Sequence, residues 1–246
     1  MPGYADGVLA AKLVALFPDH EPSHQALIAV FDAETGTPLA VMDGTHITAV
    51  RTGASSAVAT RALARENARV LAVLGAGVQC RSHLDTVRRV RPFEEVLVAS
   101  RTFSRANVLA EETGAVAVES FEQAVRGADV VCCCTHASEP VLRREWLSPG
   151  AHVTSVGAAL DGPELDPETV GAGLLCVESR VAFSPPPAGS FELQGLDPEQ
   201  AVELGEVLAG TRPSRTEAAQ ITVYKSMGHA VEDAAAAALV LSSAGS

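Results

Sequence analysis

From residue 69 onward, short apolar runs alternate with amphipathic stretches, and this alternation restricts the fold more than any other feature of the chain. Between the first two runs, Leu84, Val87 and Val90 recur at helical spacing. Strands that are apolar on both faces and separated by helices predict an α/β fold with a parallel sheet covered on both sides. The six predicted strands are RVLAVL (69–74), EVLVAS (95–100), AVAV (115–118), DVVCCC (129–134), AHVTSV (151–156) and LLCVES (174–179).

The residues on either side of this block have other patterns. Residues 25–44 contain two apolar runs joined by DAETG, which predicts a hairpin of an antiparallel sheet. We therefore predict a nucleotide-type domain over 65–190 and a second domain built from both chain ends, 1–64 and 191–246. Its other predicted elements are an Ala-rich helix (51–66), a helix between Asp197-Pro198 and Gly210, a strand ITVYKS (221–226) and a closing helix (228–243).

Composition excludes several classes of protein. Lys plus Arg is 18 and Asp plus Glu is 30, so the net charge of −12 disfavours nucleic acid and anionic membranes as partners. No apolar run is long enough for a membrane helix and MPGYADGV does not resemble a signal peptide, so we expect a cytoplasmic protein. Cys132, Cys133 and Cys134 are consecutive in a strand, which predicts reduced core thiols. His20 and His24 flank Pro22, and we predict no metal.

A glycine turn follows the first predicted strand directly and precedes a helix. Its residues, Gly75, Ala76, Gly77, Val78 and Gln79, let backbone N–H groups approach a pyrophosphate. The third small position of this fingerprint is Cys80 instead of Gly or Ala, and a thiol is still small enough for close packing of helix on sheet. The turn predicts a Rossmann-type, doubly wound dinucleotide-binding domain.

The residues after the second predicted strand choose between the two nicotinamide cofactors. An acid at this point binds the ribose of NAD, whereas an arginine can bind the 2′-phosphate of NADP. The chain has Ser100, Arg101 and Thr102 here, with Arg105 close by, and no acid. NADP(H) is therefore favoured and NAD(H) stays possible.

Motifs along essentially the whole chain then point to one family. They are MPGY (1–4), Lys12, RTGA (51–54), GAGVQ (75–79), AVRGADVVCCCT (124–135), EPV (139–141), PGAH (149–152), ELD (164–166) and ITVYKSMGHAVED (221–233). With these motifs in this order, the chain resembles the ornithine cyclodeaminase/mu-crystallin family. The resemblance implies a homodimer with a substrate-binding and dimerisation domain, acting on a small amino or imino acid.

The resemblance also implies roles for particular residues. Arg51 corresponds to the arginine, at the start of a helix, that binds the substrate carboxylate, and a guanidinium suits this task because it makes a two-pronged contact. Lys12 corresponds to the active-site lysine, which either protonates the imine nitrogen or orients the substrate. Ser23 falls where a substrate-contacting threonine is common. Thr135, Lys225 and Ser226 correspond to residues near the nicotinamide.

Two departures from the family pattern affect the expected activity. Cyclodeaminases carry an aspartate where this chain has Ala158, and an alanine cannot transfer a proton. Family members also have residues before the MPGY motif, so we expect a shortened front of the substrate domain or an internal start. We predict an NAD(P)-dependent oxidoreductase that reduces an imino acid or interconverts a 2-oxo acid and an amino acid. The alternatives are an ornithine cyclodeaminase that keeps its NAD tightly held, and a catalytically silent NADPH- or ligand-binding protein.

Overall fold

The structure is a computed structural model that describes residues 1–17, 20, 24–157, 159 and 161–244. The described residues form two compact units. Unit 1 consists of Met1–Ser55 and Gly228–Ser246, and unit 2 of Ser56–Met227. In chain order the strands and helices are β1 (Pro2–Ala5), β2 (Val8–Leu16), β3 (His24–Asp32), β4 (Pro38–Asp43), α1 (Gly44–Leu63), β5 (Val70–Leu74), α2 (Val78–Val87), β6 (Glu95–Ala99), α3 (Phe103–Thr113), β7 (Val116–Ala117), α4 (Phe121–Val125), β8 (Val130–Cys133), β9 (His152–Ser155), α5 (Pro167–Val170), β10 (Gly173–Val177), β11 (Val202–Glu203), α6 (Leu204–Leu208), β12 (Ile221–Lys225) and α7 (Ala230–Ala244). Short 3₁₀ turns lie at Arg144–Trp146, Arg180–Phe183, Phe191–Leu193 and Pro198–Gln200.

Unit 1 is an antiparallel sheet with a helix on one face. Its strand order is β1-β2-β3-β4, and the predicted hairpin is the pair β3 and β4. One face buries Val8, Ala10, Ile28 and Val30 against Ala234 and Ala237 of α7. The helix is rich in alanine, and small side chains let it lie very close to the sheet. A Cβ placed on Gly3 would be 2.3 Å from the backbone oxygen of Ala230.

Unit 2 is a parallel sheet with helices between its strands. Within the described residues its strand order is β11-β10-β12-β9-β8-β5-β6-β7, and every pairing is parallel. The predicted α/β fold is confirmed, and the six predicted strands are β5 to β10. The strands β5, β8 and β9 are almost wholly buried, which explains their continuous apolar sequences.

The boundaries of the two units differ from those predicted from the sequence. Residues 191–227 belong to unit 2, because β12 pairs with β9 and β10 and thereby becomes a central strand of the parallel sheet. The helix predicted between Asp197-Pro198 and Gly210 is confirmed only in its last part, as α6 (Leu204–Leu208), and Pro198–Gln200 form a 3₁₀ turn. Val202 and Glu203 pair with β10 as an edge strand, and the side chain of Glu203 then caps the short helix α6.

The five cysteines are free thiols, as the sequence predicted. Four are buried and Cys134 is half-buried. Burial raises the pKa of Cys176 to about 12 and also raises the pKa of Cys132, so these thiols stay protonated and unreactive at neutral pH. A membrane-spanning helix is not found in the part of the chain that the structure describes.

Candidate active site

The glycine turn lies between β5 and α2, at the carboxyl end of a buried strand. The backbone N–H of Gly75 donates to the oxygen of Ala99 at 2.7 Å, which ties the turn to the end of β6. Gly75 has a φ of +115°, and a Cβ there would be 2.7 Å from the sulfur of Cys80 and 2.9 Å from the oxygen of Cys134. Only glycine fits this position without strain.

The start of α2 is open toward solvent. Gly77 caps the helix without a side-chain hydrogen bond, and a Cβ on Gly77 would have no described atom within 4 Å. The first-turn amides of a helix lack intrahelical partners, so these amides can bind an anion. Of the predicted residues, Gly77 and Val78 are exposed, Ala76 and Gln79 are half-buried, and Gly75 is buried. The departure at Cys80 is accommodated, because its thiol is fully buried 3.8 Å from the oxygen of Leu74.

The residues predicted to select the cofactor follow the neighbouring strand β6. Ser100 accepts a 3.5 Å hydrogen bond from the N–H of Thr102, and this short turn leads into α3. Arg101 and Arg105 are exposed. Since β5 and β6 are adjacent and parallel, the glycine turn and this basic turn lie at the same edge of the sheet. That is the arrangement in which the adenosine ribose reaches the second strand.

Thr135 follows β8, whose carboxyl end lies beside that of β5. Both its N–H and its hydroxyl donate to Oε1 of Glu164, at 2.6 and 2.7 Å. The other carboxylate oxygen of Glu164 accepts from the hydroxyl of Ser155 and the N–H of Gly157, at 2.7 and 2.9 Å. Glu164 thus joins the loops after β8 and β9, at the edge of the sheet where ligands bind in open α/β folds.

Lys225 and Ser226, at the end of β12, are both buried. The ammonium of Lys225 donates to the hydroxyl of Ser155, to the oxygen of Gly157 and to Glu192, at 3.0, 2.6 and 3.2 Å. An ammonium has three N–H groups, so all of them are used by protein atoms. This geometry favours a supporting role for Lys225 over the predicted direct contact with the cofactor. The N–H of Ser226 donates to the oxygen of Ser155 at 2.9 Å.

A second cluster of charges lies in unit 1, around Lys12. This lysine is on the helix-covered face of β2 and is 3% exposed. Its Nζ is 2.8 Å from the carboxylate of Asp233 on α7 and 3.4 Å from the hydroxyl of Thr48 on α1. Burial lowers the pKa of Lys12, the Arg51 guanidinium lowers it further, and Asp233 and Glu232 partly offset both effects.

Arg51 completes this cluster. Its Nε donates to Oδ1 of Asp233 at 3.0 Å, and its Nη1 donates to Glu232 at 2.7 Å. The other carboxylate oxygen of Glu232 accepts from the hydroxyl of Ser55 at 2.7 Å. Gly228 lies against the guanidinium, since a Cβ there would be 2.5 Å from Nη1. The structure therefore brings the two predicted catalytic residues, Lys12 and Arg51, together on one carboxylate.

The predicted position of Arg51 at the start of a helix is wrong. Helix α1 begins at Gly44, directly after β4, so Arg51 is about two turns inside the helix. The first turn of the helix contains Thr45 and Thr48, and the sequence from Gly44 to Val50 has no strong helix signal. For this reason the start of the helix at Gly44 was not predicted. The carboxylates of Asp233 and Glu232, and not the end of the helix, fix the guanidinium.

Sequence reasoning missed Asp233, Glu232, Glu164 and Glu192 as site residues. A usable signal existed for Asp233, which is an acid inside the run AVEDAAAAA, just as Lys12 is a base among apolar residues. Opposite charges in otherwise apolar segments should be paired. Ser23 and Ala158 lie outside the described residues. Among the residues that the structure describes, no group of three His, Cys, Asp or Glu side chains could hold a metal ion.

The fold combines a Rossmann-type domain with a second domain, and together with its relatives it defines an NAD(P)-dependent oxidoreductase. The sequence matches the model of the ornithine cyclodeaminase/mu-crystallin family over residues 1–246, and the chain belongs to this family.

Its relatives include reductases and dehydrogenases. The chain is 44% identical to the ketimine reductase mu-crystallin of Mus musculus over 252 residues, covering 99% of this chain and 79% of the relative. It is similar to the structure of Thermococcus litoralis Δ1-pyrroline-2-carboxylate reductase in complex with NADH and L-proline, with a TM-score of 0.88, 37% identity, and coverage of 96% and 78%. It is also similar to an archaeal alanine dehydrogenase dimer with bound NAD, with a TM-score of 0.88, 31% identity, and coverage of 99% and 80%.

Proposed function

We propose that the chain reduces the carbon–nitrogen double bond of a small cyclic imino acid, adding a hydride to the α-carbon and a proton to the nitrogen. The observation that carries this proposal is the pair Lys12 and Arg51, both held by the buried carboxylate of Asp233. The pair offers a carboxylate-binding guanidinium beside a proton-donating ammonium. Relatives named as a ketimine reductase and a pyrroline-2-carboxylate reductase support the same chemistry.

The charge of the cluster indicates what it binds. Lys12 and Arg51 carry two positive charges, and Asp233 and Glu232 carry two negative ones, so the cluster is neutral when all four are ionised. A neutral, buried cluster favours a ligand without net charge, because burying an excess charge is costly. An imino acid meets this condition once its nitrogen has taken the proton from Lys12, because the iminium charge then balances the carboxylate. The guanidinium edge not used by Asp233 and Glu232 binds the carboxylate of the ligand.

Lys12 donates the proton to the imine nitrogen. Its lowered pKa makes it a better acid than an exposed lysine, and the hydrogen bond to Asp233 opposes that lowering. Asp233 also prevents the ammonium from turning away, since the two groups are 2.8 Å apart and both are almost fully buried.

Unit 2 holds the cofactor. The amides of Gly75–Gln79 bind the pyrophosphate, and Arg101, supported by Ser100, Thr102 and Arg105, binds the 2′-phosphate of NADP(H). When bound, the reduced nicotinamide supplies the hydride. The exposed guanidinium of Arg101 and the absence of an acid at the end of β6 support NADPH over NADH.

We also propose that the active protein is a homodimer formed through the outer face of the unit 1 sheet. Cross-strand pairing places apolar side chains together on the face opposite α7, and they are unusually exposed for their type. Leu13 is 69% exposed and Val41 is 70% exposed. Tyr4, Leu9 and Leu27 are further exposed apolar residues of this outer face. A second copy of the same face would cover them.

The test is the loss of reduced-cofactor absorbance with purified protein, NADPH or NADH, and a panel of five- and six-membered cyclic imino 2-carboxylates, with pyruvate plus ammonia alongside. We expect turnover with a cyclic imino acid, faster with NADPH. Ammonia release from ornithine without net change of NAD would instead establish a cyclodeaminase. Cofactor binding with no turnover on any member of the panel would favour the silent binding protein.

Arg51→Lys is the matched variant for the carboxylate site. It keeps the charge and loses the planar fork, so we expect KM for the imino acid to rise about 10- to 100-fold. The dissociation constant of NADPH should stay unchanged. Unaltered turnover in this variant would refute the assignment of the carboxylate site.

A further inference from the structure

Glu164 is a carboxylate whose hydrogen-bonding capacity is completely used. It is 2% exposed, and it accepts bonds from the N–H and hydroxyl of Thr135, the hydroxyl of Ser155 and the N–H of Gly157. A carboxylate has about four acceptor positions, and four donors fill them. Two of the donors are backbone N–H groups, one on each oxygen. A backbone N–H can only donate, so the direction of these two hydrogen bonds is fixed.

The neighbours of Glu164 fix the direction of the remaining bonds. Ser155 accepts a 3.0 Å hydrogen bond from the ammonium of Lys225, so its own proton is directed to Glu164. The ammonium is held in turn by the oxygen of Gly157 and by Glu192. The N–H of Glu164 donates to the same oxygen of Glu192 at 2.7 Å. The network therefore has one arrangement of protons, in which both hydroxyls donate to Glu164.

The loop after β9 also depends on Glu164. A Cβ on Gly157 would lie 2.5 Å from the carboxylate carbon of Glu164. The carboxylate thus packs directly on the Gly157 backbone and hydrogen-bonds to it. Thr135, at the end of the adjacent strand β8, is bound by the other oxygen of the same carboxylate.

This arrangement limits what the Thr135 hydroxyl can offer to a ligand. A hydroxyl has one proton and two lone pairs, and the proton of Thr135 is directed to Glu164. Toward a ligand, Thr135 Oγ1 can therefore only accept a hydrogen bond. The nicotinamide ring system has a single N–H donor group, which is its carboxamide NH₂.

We propose that Glu164 is a positioning residue that makes Thr135 an acceptor for the carboxamide NH₂ of the nicotinamide. The inference rests on the proposed function, because it takes unit 2 as the cofactor domain. It goes further by assigning the Thr135 hydroxyl as the group that recognises the nicotinamide. It also assigns the buried Glu164 carboxylate as the group that makes this hydroxyl a hydrogen-bond acceptor. Lys225 and Glu192 support Glu164 without contacting the cofactor.

The experiment compares two nucleotides by equilibrium binding to the full chain, without substrate. The first is NADPH and the second is its reduced 3-acetylpyridine analogue, in which an acetyl group that cannot donate replaces the carboxamide. We expect the wild-type protein to bind NADPH roughly fivefold more tightly, the value of one neutral hydrogen bond. Isothermal titration calorimetry gives both dissociation constants.

Variants assign this preference to the two residues. Thr135→Val should bring the ratio of the two dissociation constants close to one, and Thr135→Ser should keep it. Glu164→Met removes both acceptor oxygens, so the proton of the Thr135 hydroxyl is no longer fixed, the hydroxyl can donate to a ligand, and the ratio should fall. Thr113→Val, which removes a hydroxyl bonded to Leu109 in α3, is the matched control and should keep the wild-type ratio.

The outcomes separate this inference from the proposed function. If the wild-type protein binds neither nucleotide, the cofactor assignment fails. If both bind with equal affinity, or if Thr135→Val keeps the wild-type ratio, the role of Thr135 is refuted while the cofactor assignment stands. If Thr135→Val loses the preference and folded Glu164→Met keeps it, Glu164 is not the positioning residue. If Glu164→Met does not fold, comparison of Thr135→Val with Thr135→Ser still tests the role of Thr135.

Discussion

The ammonium of Lys12 lies 2.8 Å from the carboxylate of Asp233, although the two residues are 221 positions apart. The same carboxylate accepts from Arg51 at 3.0 Å, so one buried acid orients both basic groups of the candidate substrate site. Removing one partner from such a buried pair leaves an uncompensated charge. Asp233 is therefore important for both activity and stability.

Asp233→Asn should move the pH profile of the reaction. Asp233 raises the pKa of Lys12, so its neutralisation lowers that pKa further and deprotonates the ammonium at a lower pH. Since the reaction needs a protonated Lys12, the fall of kcat on the alkaline side should begin at lower pH than in the wild type. We also expect a loss of about 3 kcal/mol in the free energy of unfolding.

Glu232→Gln is the control for this variant. The Glu232 side chain is 17% exposed and that of Asp233 is 2% exposed, and Glu232 has the weaker effect on the Lys12 pKa. The shift of the pH profile should be clearly smaller. Equal shifts in the two variants would show that Asp233 has no special coupling to Lys12.

Gly77→Ala should weaken cofactor binding without affecting the fold. A Cβ at this position points into open space, and the backbone conformation suits alanine. The methyl group would prevent the close approach of the pyrophosphate, so we expect the dissociation constant of NADPH to rise on the order of tenfold with an unchanged Tm. Gly205→Ala, which also adds a Cβ in open space, should alter neither quantity. Normal NADPH binding by Gly77→Ala would place the pyrophosphate elsewhere.

Arg101→Asp should reverse the cofactor preference. The change removes the guanidinium proposed to bind the 2′-phosphate and supplies a carboxylate that can accept from a ribose hydroxyl. We expect NADPH to bind about 10- to 100-fold more weakly while NADH binding is kept or improved. Arg81→Asp is a basic-to-acidic control in α2, where Arg81 forms an exposed ion pair with Glu112. A preference that moves equally in both variants would indicate only a general effect of charge.

Two buried histidines should make the protein sensitive to acid. Burial lowers the pKa of His83 to about 4 and that of His152 to about 3, in the latter case with help from Arg215 and Arg91. Between these values and the ordinary pKa near 6.5, the unfolded chain binds more protons than the folded one, so stability falls as the pH falls. From pH 7 to pH 5 we expect a loss of about 2 kcal/mol per histidine.

Urea unfolding at several pH values measures this effect. His83→Gln and His152→Gln should each flatten the dependence of the unfolding free energy on pH between 7 and 5. His136→Gln, at an exposed loop position, should leave the slope as in the wild type. An identical slope in all three variants would mean that other groups control the acid sensitivity.

Leu13→Asp together with Val41→Asp should separate the proposed dimer into monomers. Both side chains are about 70% exposed on the outer face of the sheet, so a charge costs little in a monomer and much in a closed interface. Sedimentation velocity gives the mass directly. Val108→Asp, at an exposed apolar position of α3, is the control. An unchanged mass in the double variant would rule out this face as the interface.

Local patterns were enough to predict the strands β5 to β10 and the glycine turn, because buried parallel strands have continuous apolar sequences and the turn needs Gly75 for its positive φ. The place of β12 could not be predicted in this way. The run ITVYKS predicts a strand but does not determine which sheet it joins, and the pairing with β9 and β10 is a long-range contact.

The candidate site shows the same division between local and long-range information. Lys12 and Arg51 were found from their motifs, but what holds them was not, since Asp233 comes from the other end of the chain. The supporting role of Lys225 depends on three partners that come from β9, the loop after it and the turn containing Glu192. Such contacts follow from the packing of the fold and have no signature in sequence spacing.

The central position of β12 has a consequence for how the protein is made. The strands β9 and β10 leave the ribosome well before Ile221–Lys225, but β12 must lie between them in the finished sheet. Until that segment emerges, two apolar strand edges have no partner, and unpaired edges of this kind are prone to aggregation. Completion of the large sheet therefore waits for the last of its strands to be made, and loss of β12 would divide the sheet instead of trimming its edge.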